Sequence, residues 1–178
     1  MRAFMYRPLF LLLFFSSIGF SQTLCLKKET DFFSCVTTNN KIISICGKIS
    51  SNVPTNDWLQ YRFGRHDHIE LIYPESKIGS ISKFEGNTFN RYNVVDLRFI
   101  NSRNAYSVSL NGPYDGDEAA VRSSASAGVN IKLKSKKRVS ISCSTIDSKK
   151  YYDRFENLNN ELRFINGDTD LFFKEQMY

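Results

Sequence analysis

The sequence predicts a mainly β protein, an antiparallel β-sandwich or partly closed barrel built of hairpins, with a C-terminal amphipathic helix. Short segments that alternate apolar and polar residues follow one another at close intervals between turn residues, which is typical of antiparallel sheets. One segment near the C-terminus changes to a helical period. The chain has 178 residues, of which 42% are apolar and 14% aromatic. That is enough for one domain with a single hydrophobic core.

The first 21 residues have the three parts of a secretory signal peptide. Two arginines precede an apolar run from Leu9 to Phe15, and Gly19 and Ser21 provide the small residues at positions −3 and −1 of a cleavage site after Ser21. The apolar run is shorter than the ~20 residues that span a bilayer. We therefore expect an exported protein, periplasmic or extracellular, without stable membrane insertion after cleavage. A lipid-bearing Cys25 is an alternative that the large residue before it disfavours.

Four cysteines follow the cleavage site, at Cys25, Cys35, Cys46 and Cys143. In an exported chain an even number of cysteines indicates disulfides, and four allow three pairings. Asn39-Asn40 separates two β-rich segments and tolerates positive φ, so a tight turn there would bring Cys35 within disulfide reach of Cys46. We therefore favour Cys35–Cys46 and, by elimination, Cys25–Cys143. A zinc site is the alternative, but the cysteine spacing does not fit one.

Further hairpins are predicted in order along the chain. Their alternating segments are Leu59 to Gly64 with Ile69 to Tyr73, Val94 to Ile100 with Ala105 to Leu110, and Val129 to Leu133 with Arg138 to Cys143. Pro74 ends the segment from Ile69 to Tyr73, because proline cannot donate a hydrogen bond to a neighbouring strand. All of these segments belong to one β-rich domain, residues 22–146.

The period changes in the last part of the chain, where apolar residues recur at steps of four and three and predict a helix. These residues are Tyr151, Phe155, Leu158, Leu162 and Ile165. Asp147 can cap the first turn and Gly167 can end the helix. The polar side of this helix mixes acids and bases, which favours packing on the sheet over lying on a membrane. We expect residues 147–178, the helix and an apolar tail, to pack on the same domain.

Motifs for catalysis or metal binding are weak. His66-Asp67-His68 has no identifiable third ligand, and Asp115 to Glu118 lacks the spacing of an EF-hand loop. No nucleophile elbow is present. We expect no metal, no cofactor and no enzymatic activity, with an envelope hydrolase of scattered site residues as the alternative. The basic hairpin from Lys132 to Arg138 could contact phosphates, but export disfavours a nucleic acid partner.

Several motifs carry a resemblance to a known family. They are Cys35 and Cys46, Leu59-Gln60-Tyr61-Arg62-Phe63-Gly64 with a second arm ending Tyr73-Pro74, and Ala127-Gly128-Val129 before Cys143. In these the chain resembles a family of small, uncharacterised secreted bacterial β-proteins with disulfides, which implies no particular activity. It is more distantly similar to periplasmic lysozyme inhibitors, small disulfide-bearing barrels that insert a Ser/Gly-rich loop into the enzyme cleft. Ser124-Ala125-Ser126-Ala127-Gly128 resembles that loop, which implies inhibitory contacts for Ser124 and Ser126.

We therefore predict an exported, non-enzymatic binding protein whose partner is another protein, as an inhibitor of an enzyme or an immunity protein against a toxin. A structural envelope component is the alternative. Because strand faces are committed to packing, recognition is expected in loops. The candidates in the 114–126 connection are Tyr114, Asp115, Asp117, Arg122, Ser124 and Ser126. The 50–57 connection leads to Trp58, a residue type enriched at binding hot spots, although packing in the core is the commoner role of a tryptophan.

Overall fold

The structure, a computed structural model, describes residues 22–50, 56–89, 94–112 and 126–166. The predicted signal peptide, Gly167 and the C-terminal tail lie outside the described residues. The elements in chain order are β1 (Thr30–Thr37), β2 (Ile42–Lys48), β3 (Trp58–Gly64), β4 (Ile69–Tyr73), a 3₁₀ helix (Ser80–Lys83), β5 (Glu85–Phe89), β6 (Val94–Asn101), β7 (Asn104–Asn111), β8 (Ser126–Lys132), β9 (Arg138–Thr145) and α1 (Ser148–Asn166). The predicted class, mainly β with a C-terminal helix, is confirmed.

The nine strands form one antiparallel sheet in the order β4-β3-β2-β1-β9-β8-β7-β6-β5. Among the described strands β4 and β5 are the two edges, so the sheet is not closed into a barrel. It nevertheless curves around its core. The ring of Tyr73 on β4 stacks on Phe99 of β6 with centroids 4.8 Å apart, and Tyr61 of β3 lies 5.1 Å from the same ring. Strands from opposite ends of the sheet therefore share one hydrophobic core.

Alternation along each strand gives the sheet an inner face towards this core and an outer face. Residues that are fully buried on the inner face include Phe33, Ile43, Ile45, Leu59, Leu97, Val108 and Leu110. Residues of the opposite parity, such as Arg62 on β3 and Ser140 on β9, lie on the outer face.

Helix α1 closes one side of the core. The amide of Lys150 donates to Asp147 Oδ1 over 3.1 Å, which caps the first turn as expected. Phe155 is fully buried, with its ring centroid 5.1 Å from that of Phe33 on β1. At the edge strand β5 the helix comes so close that a Cβ on Gly86 would lie 2.3 Å from the carbonyl oxygen of Asn159. Within the described residues, no helix has the length and apolar character to cross a membrane.

The predicted pairing of the cysteines, Cys35–Cys46 and Cys25–Cys143, is wrong. The structure joins Cys25 to Cys46 and Cys35 to Cys143, with Cα atoms 5.3 and 5.8 Å apart. The prediction of two disulfides holds, but each cysteine has a different partner.

The reason lies in the β1–β2 turn. The amide of Thr37 donates to the carbonyl oxygen of Lys41 over 2.7 Å, and Asn40 has a φ of 56°, so the loop has three residues and not two. This register places Cys35 opposite Ile43, on the inner face, where it meets β9. Cys46 has the other parity and points to the outer face, where the segment that precedes β1 brings Cys25 to it.

Candidate protein-binding surface

Most of the predicted loop candidates cannot be placed, because Tyr114, Asp115, Asp117, Arg122 and Ser124 lie outside the described residues. Ser126 begins β8, is exposed, and accepts a hydrogen bond from Asn111 Nδ2 over 2.6 Å. Trp58 begins β3 and is half-buried. Three strands lie between β3 and β8 in the sheet, so the structure does not bring these two candidates together.

The His66-Asp67-His68 segment forms the exposed turn between β3 and β4, closed by backbone hydrogen bonds between Arg65 and His68. A groove of about 640 Å³ beside this turn is lined by Gln22, Val36, Asn40, Ile42, Arg65, His66 and Asp67. No group of three or more potential metal ligands occurs in the part of the chain that the structure describes.

Glu29 is a buried carboxylate with several partners, in the segment that crosses the outer face of β1 to β3. Its carboxylate, 6% exposed, accepts from Arg62 Nη1 over 2.6 Å and from Arg62 Nη2 over 3.0 Å. The Leu26 amide donates to it over 2.8 Å and Lys77 Nζ over 3.0 Å. Arg62 also donates to the Leu24 carbonyl oxygen and to Gln60 Oε1. This network fixes the N-terminal segment and the loop after β4 to the sheet.

The charge of Glu29 is well stabilised. Burial raises the pKa of this carboxyl, but the hydrogen bonds from Arg62, the Leu26 amide and Lys77 together outweigh it and lower the pKa to about 2. Glu29 is therefore ionised at neutral pH, as a buried carboxylate can be when it is paired and hydrogen-bonded.

Three exposed apolar side chains belong to residues that lie next to this network in the chain or in the strand register. Leu26 is 66% exposed, and its amide donates to Glu29. Ile78 is 94% exposed and follows Lys77, which pairs with Glu29. Ile72 lies opposite Arg62 in the β3–β4 register and is 38% exposed. These are three of the four large apolar side chains that are exposed in the described chain.

Trp58 adjoins the same network through Lys77. The ammonium group of Lys77 lies 3.8 Å from the centroid of the Trp58 ring while it also binds Glu29, so a cation–π contact and an ion pair hold one side chain. We call Leu26, Trp58, Ile72, Lys77 and Ile78 the Trp58 surface. It combines exposed aliphatic groups with a tryptophan, which is a residue type enriched at protein interfaces and their hot spots.

Sequence reasoning selected only Trp58 from this surface. One further signal was available. In β4, Leu71 and Tyr73 pack inwards, so Ile72 is an apolar residue at a position of outward parity. Leu26 and Ile78 carried no such signal, because both lie outside the strands, where alternation does not predict exposure. No family model, curated protein or solved structure matched the chain.

Proposed function

We propose that this protein is exported and acts in the cell envelope as a binding protein, with another protein as its partner: an enzyme that it inhibits or a toxin that it neutralises. The observation that carries the proposal is the Trp58 surface. The surface joins a tryptophan, a residue type enriched at binding hot spots, to three of the four large apolar side chains that are exposed in the described chain. Two disulfides fit an oxidising, exported location.

The rigidity of this surface supports a binding role. Leu26 follows directly after the Cys25–Cys46 disulfide, and its amide is held by Glu29. Lys77 is held between Glu29 and the Trp58 ring. Side chains and segments that are ordered before association lose less conformational entropy when a partner binds. The apolar groups are therefore presented on a preorganised base.

The more distant resemblance to periplasmic lysozyme inhibitors favours the inhibitor form of this proposal. Ser126, the one residue of the candidate inhibitory pair that the structure describes, is exposed at the start of β8. It lies on a different part of the sheet from the Trp58 surface. The position that a partner protects shows which surface binds it, and the identity of that partner, an enzyme or a toxin, separates the inhibitor form from the immunity form.

The test is capture of a partner from periplasmic extract and from a set of purified lysozymes, with Leu26→Glu/Ile78→Glu compared with the unmodified mature protein. Both side chains are exposed, so the variant should keep its melting temperature while capture falls at least tenfold, since about 1.4 kcal/mol corresponds to tenfold in affinity. Asn157→Glu/Asn160→Glu, on the exposed side of α1, adds the same charge elsewhere and should bind normally. Equal capture by both variants, or no partner at micromolar protein, would refute the proposal.

A further inference from the structure

Strands β7 to β9 carry an ordered set of polar side chains on the outer face. Their register places Ser107, Asn130 and Ser140 in one row across the sheet and Ser109, Gly128 and Ser142 in the next. Asn111 and Ser126 pair in a third row. We call these residues the hydroxyl grid. Ser140 donates to Asn130 Oδ1 over 2.7 Å, so part of the grid is already aligned by its own hydrogen bonds.

One end of the grid is strongly cationic. The β6–β7 turn carries Arg103, and the β8–β9 hairpin carries Lys132, Lys134, Lys136, Lys137 and Arg138. The two turns are joined, because the amide of Lys134 donates to Asn104 Oδ1 over 3.0 Å. We call these six side chains the cationic rim.

The described strands that carry the grid and the rim hold few acidic residues. Residues 97–112 and 126–146 contain no aspartate or glutamate. The nearest acid on these strands, Asp96 of β6, is 7% exposed and is held by Arg98 Nε over 2.6 Å and by the hydroxyl of Ser107. Five of the six rim side chains, all but the half-buried Lys132, are exposed, so the rim presents positive charge to solvent and complements a polyanion.

The grid narrows the class of polyanion. Its hydroxyls and amides recur about 4.8 Å apart across the strands and roughly 7 Å apart along them, which suits the closely spaced hydroxyls of a sugar chain. Asn130, Ser140 and Ser142 of the grid are exposed, so these polar side chains are accessible to a sugar chain. A single-stranded nucleic acid would need aromatic side chains for base stacking, and the grid residues include none.

We propose that the hydroxyl grid and the cationic rim together bind an anionic polysaccharide, with the rim pairing its charged groups and the grid its hydroxyls. The inference does not depend on the proposed protein partner, because the Trp58 surface belongs to β3, β4 and the segments that cover them. It gives the exported protein a second contact, to a charged glycan of the surface where it acts.

The test uses heparin as the probe, with neutral dextran, long-chain polyphosphate and phosphatidylglycerol vesicles as comparisons, each measured at low and physiological salt. The rim variant Lys134→Gln/Lys137→Gln/Arg138→Gln should bind heparin at least about tenfold more weakly, since charge pairing dominates such affinities at low salt. The matched control Lys27→Gln/Lys28→Gln/Lys149→Gln removes the same charge at the other end of the sheet and should bind within about twofold of the unmodified protein.

The grid is tested separately with Ser140→Val/Ser142→Val, which keeps the charge and places strand-favouring residues on an exposed strand. This variant should weaken heparin binding and leave the weaker binding of polyphosphate unchanged. If polyphosphate or the vesicles bind as tightly as heparin, and if their affinity is the same for the grid variant as for the unmodified protein, the surface recognises charge alone. That result, the absence of heparin binding, or equal losses in the rim and control variants would overturn the proposal.

Discussion

Replacing Glu29 with glutamine should destabilise the protein by about 3 kcal/mol at neutral pH. Removal of one partner from a buried ion pair typically costs 3–5 kcal/mol, because the other charge stays buried and unpaired. Arg62 is 6% exposed, but it keeps its hydrogen bonds to the Leu24 carbonyl and Gln60, so the lower end applies. The fall in the carboxyl pKa from 4.5 to about 2 corresponds to a similar contribution to the free energy of unfolding, about 3 kcal/mol at most.

The pH dependence identifies the cause. Because the pKa of Glu29 is lower in the folded protein than in the unfolded chain, its stabilisation is complete above the unfolded value of 4.5 and is lost as the pH falls towards 2. Urea denaturation of the oxidised protein should therefore show a gap between the unmodified protein and Glu29→Gln that is full at pH 7 and less than about 1 kcal/mol near pH 2.5.

The control for this experiment is Glu70→Gln. Glu70 pairs with Lys41 over 2.8 Å, but both side chains are about a third exposed, so its loss should cost less than about 1 kcal/mol. If Glu29→Gln is no more destabilising than Glu70→Gln at pH 7, or if its effect is the same at low pH, the carboxylate does not hold the N-terminal segment as argued.

Two further kinds of change, the loss of a buried ring and the loss of a disulfide, should lower the free energy of unfolding. Phe155→Ala should lower the free energy of unfolding by about 3–5 kcal/mol, since the ring is fully buried against β1; an unchanged urea midpoint would place the helix off the core. Removing Cys35–Cys143, which spans 108 positions, should cost about 4.8 kcal/mol against about 3.4 for Cys25–Cys46, which spans 21. Thermal melts of the two double alanine variants test that order, and peptide mapping that recovers a Cys35–Cys46 link would contradict both values.

The hairpins were predictable because alternation fixes both the existence of a strand and the face that it buries. The predicted segment from Val94 to Ile100 ends one residue before β6 does, and the segment from Ala105 to Leu110 is one residue shorter than β7 at each end. In the turn between them Ser102 and Arg103 adopt positive φ, which completes a two-residue turn of the kind that favours hairpins. Local sequence and tertiary packing agree here.

The disulfides show where the same reasoning fails. A strand has a period of two, so a change of one residue in a turn reverses which side chains share a face. The sequence identified the β1–β2 turn but not its length, and the third loop residue was enough to place Cys35 and Cys46 on opposite faces. Turn length depends on the backbone conformation of Asn40, which composition alone does not determine.

Strand β5 was not predicted at all. Glu85–Phe89 contains Gly86 and Asn87, which are poor strand formers, and no alternation marks it. The strand is stabilised by its neighbours: it pairs with β6, and Asn159 of α1 accepts a hydrogen bond from the Asn87 amide over 3.2 Å. The close approach of the helix requires a glycine at position 86. Gly86 therefore allows the helix to pack, and the same residue makes the strand hard to predict from the sequence.

The two proposed surfaces lie on different halves of the sheet, and their relation depends on the junction between β1 and β9. Only Val36 with Thr145 and Thr37 with Cys143 pair across this junction, whereas its neighbours pair along most of their length. The Cys35–Cys143 disulfide lies at the same place and fixes the two halves where strand pairing is shortest. Under the two proposals, this disulfide joins the half of the sheet that contacts a glycan to the half that contacts a protein partner.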